Sequence, residues 1–232
     1  VNITLDRAVD DAQAIFESLN STGKELSESD LIRNYILMGL ENDEQSYVYE
    51  HFWRPMELMF EYEKQDSVMD KFFRDYLTMK LTRIPKIDKV YEEFKLYHVN
   101  CEFSSVRDLC EDLLKYAKYY TDMVFARSSN PVIKNLYVDV NDLRMEVAFP
   151  FLLKVHNDWS EGLITEENFI EILKMCISYV FRRNICDIPT NSLNKTFATL
   201  RNEIKQDDYM NSIKVFFFNN FAMSAVFNSL NT

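Results

Sequence analysis

The residue types able to do chemistry are thinly spread in this chain. Its three histidines, His51, His98 and His156, lie far apart, and none belongs to an H-E-x-x-H pair, a cysteine–histidine cluster or an HNH-like group. Carboxylates stand side by side at Asp10/Asp11, Glu111/Asp112, Glu166/Glu167 and Asp207/Asp208, among others. Neighbours on a helix diverge by about 100°, so such a pair does not make a shared acid–base site by itself. Three of the pairs sit at expected helix starts, where the helix dipole accounts for them. Cys101, Cys110, Cys176 and Cys186 lack metal-ligand spacing, and Cys110 and Cys176 fall on apolar faces, as small core residues do. The chain contains no phosphate-binding glycine loop and no G-x-S-x-G elbow. No catalytic residue and no metal ligand is therefore expected. What remains is one dense polar run, from Ile15 to Asn34. It reads either as a corner that only turns the chain or as a loop facing a ligand.

The elements that must position this run are helices. Three glycines and five prolines in 232 residues are too few for the turns of an all-β or doubly wound fold. A hydrophobic content of 47%, with 14% of the chain aromatic, excludes disorder. The pattern predicts an all-α, multi-helix bundle of about ten helices, with a short residual strand at Asn2–Leu5. Around the polar run, one helix starts at Asp10 and Asp11 and ends near Leu19. Asn20 and Gly23 suit left-handed backbone, and Ser27, followed by Asp30, opens a second helix from about Glu28 to Leu40 as a Ser-x-x-Asp variant of the capping box. Further helices are expected over 44–63 (with Pro55 as a kink or a start), 67–81, 86–97, 103–125 and 140–157. Thr165 and Asn168 then open a helix ending near Arg183, and Pro189 starts another reaching about Lys205. The aromatic C-terminal stretch reads as one or two short helices. Ser128 to Pro131 is the clearest linker, and Asp158 to Gly162 reads as a turn.

Charge narrows the function. A net charge of −11 argues against a general nucleic-acid surface. The balance is uneven: from Tyr179 to Thr232 the chain is +2, and the other 178 residues carry −13. A face meeting phosphate is expected in the last third. No apolar run approaches the ~20 residues that span a bilayer, and no signal peptide precedes the helices. Reduced thiols and a cytoplasmic location are expected. A chain opening on Val1 reads as a piece of a longer protein.

Two runs carry a family resemblance. The string IFESLNSTGKELSESDLIRNYIL (residues 15–37) resembles a segment of the GmrSD-type restriction endonucleases, bacterial NTP-dependent nucleases that sense DNA modification, together with related anti-phage proteins. The string FRRNICDIPTNSLNKTFATL (residues 181–200) resembles a later helical part of the same family, in matching order. The family carries an Asp-Gly-Gln-Gln-Arg motif in a ParB-like nucleotide domain, and often an HNH-type nuclease domain. This chain has neither motif. The resemblance thus implies the helical middle portion of such a protein, catalytically incomplete alone, with no cofactor of its own. NTP and DNA would be partners of the parent, alongside missing N- and C-terminal domains. Residues 1–42 would be the trailing edge of the nucleotide domain. Residues 43–232 would be a helical domain, with a sub-boundary near 127–132.

By the same resemblance Glu17, Asn20, Asp30, Arg33 and Asn34 would face the nucleotide. Each also has a plainer role: Asn20 shapes a turn, Asp30 caps, Arg33 pairs with a carboxylate. Arg182 and Arg183 match the family's paired arginines. They would contact DNA or another domain with Asn191, Asn194 and Lys195, or would only complement a helix C-terminus. Self-association into a homo-oligomer is compatible with the chain and not required by it. The alternative function is an acidic helical module that binds a protein partner and does no chemistry.

Overall fold

A computed structural model describes residues 26–60, 68–188 and 192–229, with side chains to residue 220. The expected strand at Asn2–Leu5, the first helix, Glu17, Asn20 and Asn191 lie outside the described residues. Within them the protein is all-α, with no strand. The helices are α1 (Glu28–Met38), α2 (Asn42–Val48), α3 (Arg54–Phe60), α4 (Val68–Leu81), α5 (Val90–Asn100), α6 (Val106–Val124), α7 (Pro131–Asp142), α8 (Phe149–Ser160), α9 (Glu166–Ile185), α10 (Leu193–Thr199) and α11 (Tyr209–Ser229). None of the described helices is long and apolar enough to cross a membrane.

The starts are set by local chemistry. Ser27 is the N-cap of α1, its hydroxyl accepting from the Asp30 N–H at 3.1 Å. Asn130 caps α7 with Pro131 in its first turn. Thr165 and Asn168 form a reciprocal capping box on α9, as their spacing predicts. A π-turn, Tyr49–Trp53, joins α2 to α3. It lies just before Pro55, whose ring offers no N–H to the carbonyl four residues back.

The ends explain how so helical a chain uses so few glycines. Left-handed residues terminate four helices without a glycine: Thr82, Ala126, Arg144 and Asp187 have φ between 49° and 53°. After Ala126, Arg144 and Asp187 the next N–H reaches back five residues, from Arg127 to Asp122, Met145 to Val140 and Ile188 to Arg183, at 2.8–3.0 Å. Gly162 closes α8 in the same way, with Leu163 bonded to the Asp158 carbonyl at 2.8 Å.

The structure corrects three expectations. No single helix runs over 140–157. Pro131 begins α7 instead of ending a linker, and the Arg144 turn separates α7 from α8. Asp158 and Trp159 belong to the last turn of α8 and not to a loop. The C-terminal stretch is one helix, α11.

The chain divides into two compact units. The first comprises the described residues up to Arg74 and Pro85–Lys115; the second comprises Asp75–Ile84 and the described residues from Tyr116 onward. In the first unit α1 packs on α5, and the core is aromatic. Trp53 stacks on Phe73 with centroids 5.8 Å apart, and Phe73 meets Phe94 edge-on at 5.9 Å. In the second, Tyr120 meets Phe149 edge-on at 5.4 Å, while Phe151 and Tyr179 both pack on Phe197. Cys176 is fully buried there, as its apolar neighbours predict. Cys110, in the first unit, is buried too, and burial pushes its thiol up to about 12.

Candidate functional site

The polar run survives in the structure as the start of α1, where it ties three helix N-termini together. Ser27 Oγ also donates to Asp30 Oδ2 at 2.9 Å. The Ser29 N–H donates to Asp70 Oδ1, in the first turn of α4, at 2.8 Å. The Tyr91 N–H, in the first turn of α5, donates to Glu28 Oε2 at 2.5 Å. Each carboxylate thus satisfies an orphan donor of a neighbouring helix, which local caps leave open. Burial holds the Glu28 carboxyl above its usual range. The Tyr91 N–H opposes this shift, and Asp70 adds to it.

Asp30 and Arg33 lie together one turn on. Arg33 Nη2 meets Asp30 Oδ1 at 3.0 Å, and Nη1 meets Glu57 Oε1 at 3.0 Å. The same Glu57 oxygen accepts from Trp53 Nε1 at 2.7 Å. Arg33 therefore has carboxylate partners on its own helix and on α3. Asn34 is half-buried and makes no side-chain hydrogen bond among the described residues. These geometries suit a clamp holding α1 on α3, with about a third of Arg33 still open to water.

The arginine pair splits by direction. Arg183 is buried. Nη1 donates to Tyr179 Oη and Nη2 to Ser192 Oγ, both at 3.3 Å, and the guanidinium lies 5.5 Å from the centre of the Tyr179 ring. It braces the end of α9 against the segment leading into α10. Arg182 is exposed, and lines a groove of about 350 Å³ with Lys174, Ser178, Phe217 and Phe218. Asn194 and Lys195 are exposed on α10. Of the pair, Arg182 is the one a partner outside this unit can reach.

The second unit contains a charged centre whose distant members no sequence spacing announces. Asp158 is fully buried on α8. Its Oδ1 meets Lys154 Nζ at 2.6 Å, one turn earlier. Its Oδ2 accepts from Tyr209 Oη at 2.8 Å and faces Arg201 Nε at 3.4 Å. Arg201 also lies 5.7 Å from the centre of the Tyr209 ring. Burial and the adjacent carboxylate hold the Tyr209 phenol well above its usual range, so it stays a donor. This is a structural tie from α8 to the short helical turn Leu200–Glu203 and the start of α11. Its carboxylate has no open side for a substrate.

The histidines are dispersed, as expected. His51 is exposed, stacked on Tyr47. His98 Nδ1 lies 3.0 Å from Tyr35 Oη. His156 is buried against Tyr119, Trp159 and Phe169. Burial pushes it down to about 4, with Lys118 lowering it further. No cluster of three or more metal-ligating residues occurs among the described residues. Against known proteins, no family model, no curated protein and no solved structure matches this chain.

Proposed function

We propose that this chain is the helical core of a GmrSD-like, NTP-dependent DNA restriction or anti-phage endonuclease of the cytoplasm, serving as scaffold for nucleotide-handling and nuclease parts outside it. The observation that supports this is the use made of the run that resembles the family. From Ser27 to Arg33 its polar side chains are engaged in capping α1, in bonding the first turn of α5, and in pairing α1 with α3. On this reading the signature sets the seat of a helix beside the nucleotide domain. Glu17, Asn20 and Asn34 are then the candidates for direct contact with the nucleotide, Asp30 and Arg33 are shared between contact and clamp, and Arg182 is the candidate for DNA or domain contact.

The test is made on the full-length protein encoded by the gene. Modified and unmodified phage DNAs are incubated with each NTP in turn. NTP-dependent cleavage of a modified DNA is expected, and it should be lost in Arg33→Ala. A full-length protein that binds no nucleotide and cleaves none of these DNAs overturns the proposal.

A second reading, an interaction module without chemistry, is favoured by large exposed apolar residues of the second unit. Phe181 and Ile185, four residues apart on α9, and Phe218 on α11 are 50%, 71% and 74% exposed, and joined into one patch they would mark an interaction surface. Under it the full-length protein is inactive on DNA, and Phe218→Asp abolishes a stoichiometric complex with a protein partner.

A further inference from the structure

A cleft of about 330 Å³ opens in the second unit, apart from every residue assigned above. Its walls come from α6, the turn after it, α7 and α8. That volume lies at the small end of ligand pockets. Two of its lining residues are more than nine-tenths buried and carry polar atoms with no hydrogen-bond partner among the described residues: Tyr137 Oη and His156 Nδ1. Leaving such a group unmade is costly, and native proteins contain few of them. Two in one cleft call for a complement.

The rest of the lining says what kind. Lys118 and Arg127 bring two cations against the single carboxylate of Asp122. Ser128 Oγ accepts from the Asn130 N–H at 3.1 Å, which leaves its own proton to donate. Tyr137 adds a phenol, held well above its ordinary range by burial and by Asp122 and therefore protonated. Burial raises the Asp122 carboxyl, against the pull of Lys118 and Arg127. Donors outnumber acceptors, inside a chain whose overall charge is −11.

We propose that this cleft binds a small oxyanion, the phosphate group of a free phosphate or of a nucleotide, with Lys118 as its ion partner and Tyr137 Oη as its buried hydrogen-bond donor. The site stands apart from the restriction-nuclease reading and does not need it. His156 forms part of the wall and reports occupancy.

The test uses the imidazole NMR signals of the three histidines. Inorganic phosphate is titrated at low ionic strength, with adenosine 5′-monophosphate as a second arm to separate a free anion from a nucleotide. The expected result is a saturable shift of the His156 signals in at least one arm, with His51 and His98 unmoved. Binding should weaken about tenfold in Tyr137→Phe, the value of one good hydrogen bond, and at least as much in Lys118→Gln. Lys86→Ala, an exposed change outside the cleft, should bind as wild type does. No saturable shift in either arm, or a shift equal in wild type, Tyr137→Phe and Lys118→Gln, overturns the proposal. Should Tyr137→Phe fail to fold, Lys118→Gln carries the test, because Lys118 is exposed.

Discussion

Each unit contains a charged cluster built from the same parts: a carboxylate, an arginine, a second charged group and an aromatic donor. In the first unit these are Glu57, Arg33, Asp30 and the Trp53 N–H. In the second they are Asp158, Arg201, Lys154 and the Tyr209 hydroxyl. The difference is water. Asp30 and Arg33 are each about one-third exposed, whereas Asp158 has no exposed side chain at all. Exposed pairs contribute little because water already solvates both charges. A buried carboxylate contributes little beyond an apolar core while complete, but leaves stranded charges when one member is removed. The same inventory therefore makes an adjustable clamp in one place and an all-or-none tie in the other.

The largest expected effect tests the tie. Replacing both cations, Lys154→Met with Arg201→Met, should destabilise the protein by about 3–5 kcal/mol, because it strands the fully buried Asp158 carboxylate. Denaturant unfolding checks this. A loss below about 1 kcal/mol would mean the buried cluster behaves like the exposed one.

Next comes acid, which should act through His156, two residues from Asp158 on the same helix. A folded value of about 4 lies below the ordinary histidine value, so between those two pH values the unfolded chain binds the extra proton. Stability should then fall as pH drops from about 6.5 to 4, by up to about 3 kcal/mol. Melting temperatures across that range, in wild type and His156→Gln, measure the slope. It should flatten in the variant.

Smaller still is the clamp. A double-mutant cycle on Arg33→Met and Glu57→Gln should give about 0.2–1 kcal/mol, shrinking in molar salt. A salt-insensitive coupling several times larger would erase the contrast between the clusters. An effect of similar size concerns helix ends: Ala126→Gly should stabilise by about 0.5–1 kcal/mol, because glycine meets less strain at that left-handed position. The readout is a rise of a few degrees in melting temperature.

What could be read from the sequence was what sits within one helical turn. Ser27 with Asp30, Thr165 with Asn168, and the apolar stripe of α6 all act at spacings of three or four, and the structure uses them so. The start of α7 escapes a reading of the sequence because Ser128 to Pro131 looks like a linker, and the break at residue 144 does so because an arginine takes the left-handed place that glycine usually signals. The distant members of the Asp158 centre are invisible for another reason: Tyr209 lies 51 positions away, and no local pattern records that pairing. Likewise Arg33 could be placed on its helix, but its partner Glu57 is 24 residues on.

The chain has two tryptophans, and the fold gives one to each unit. Trp53 is buried, stacked on Phe73 and bonded to Glu57. Trp159 lies in the wall of the cleft, stacked on Phe169. The protein thus comes with its own pair of optical probes. Trp159→Phe leaves an emitter that watches only the first unit melt. Trp53→Phe leaves one that watches only the second, and that one sits where an arriving anion would change its light.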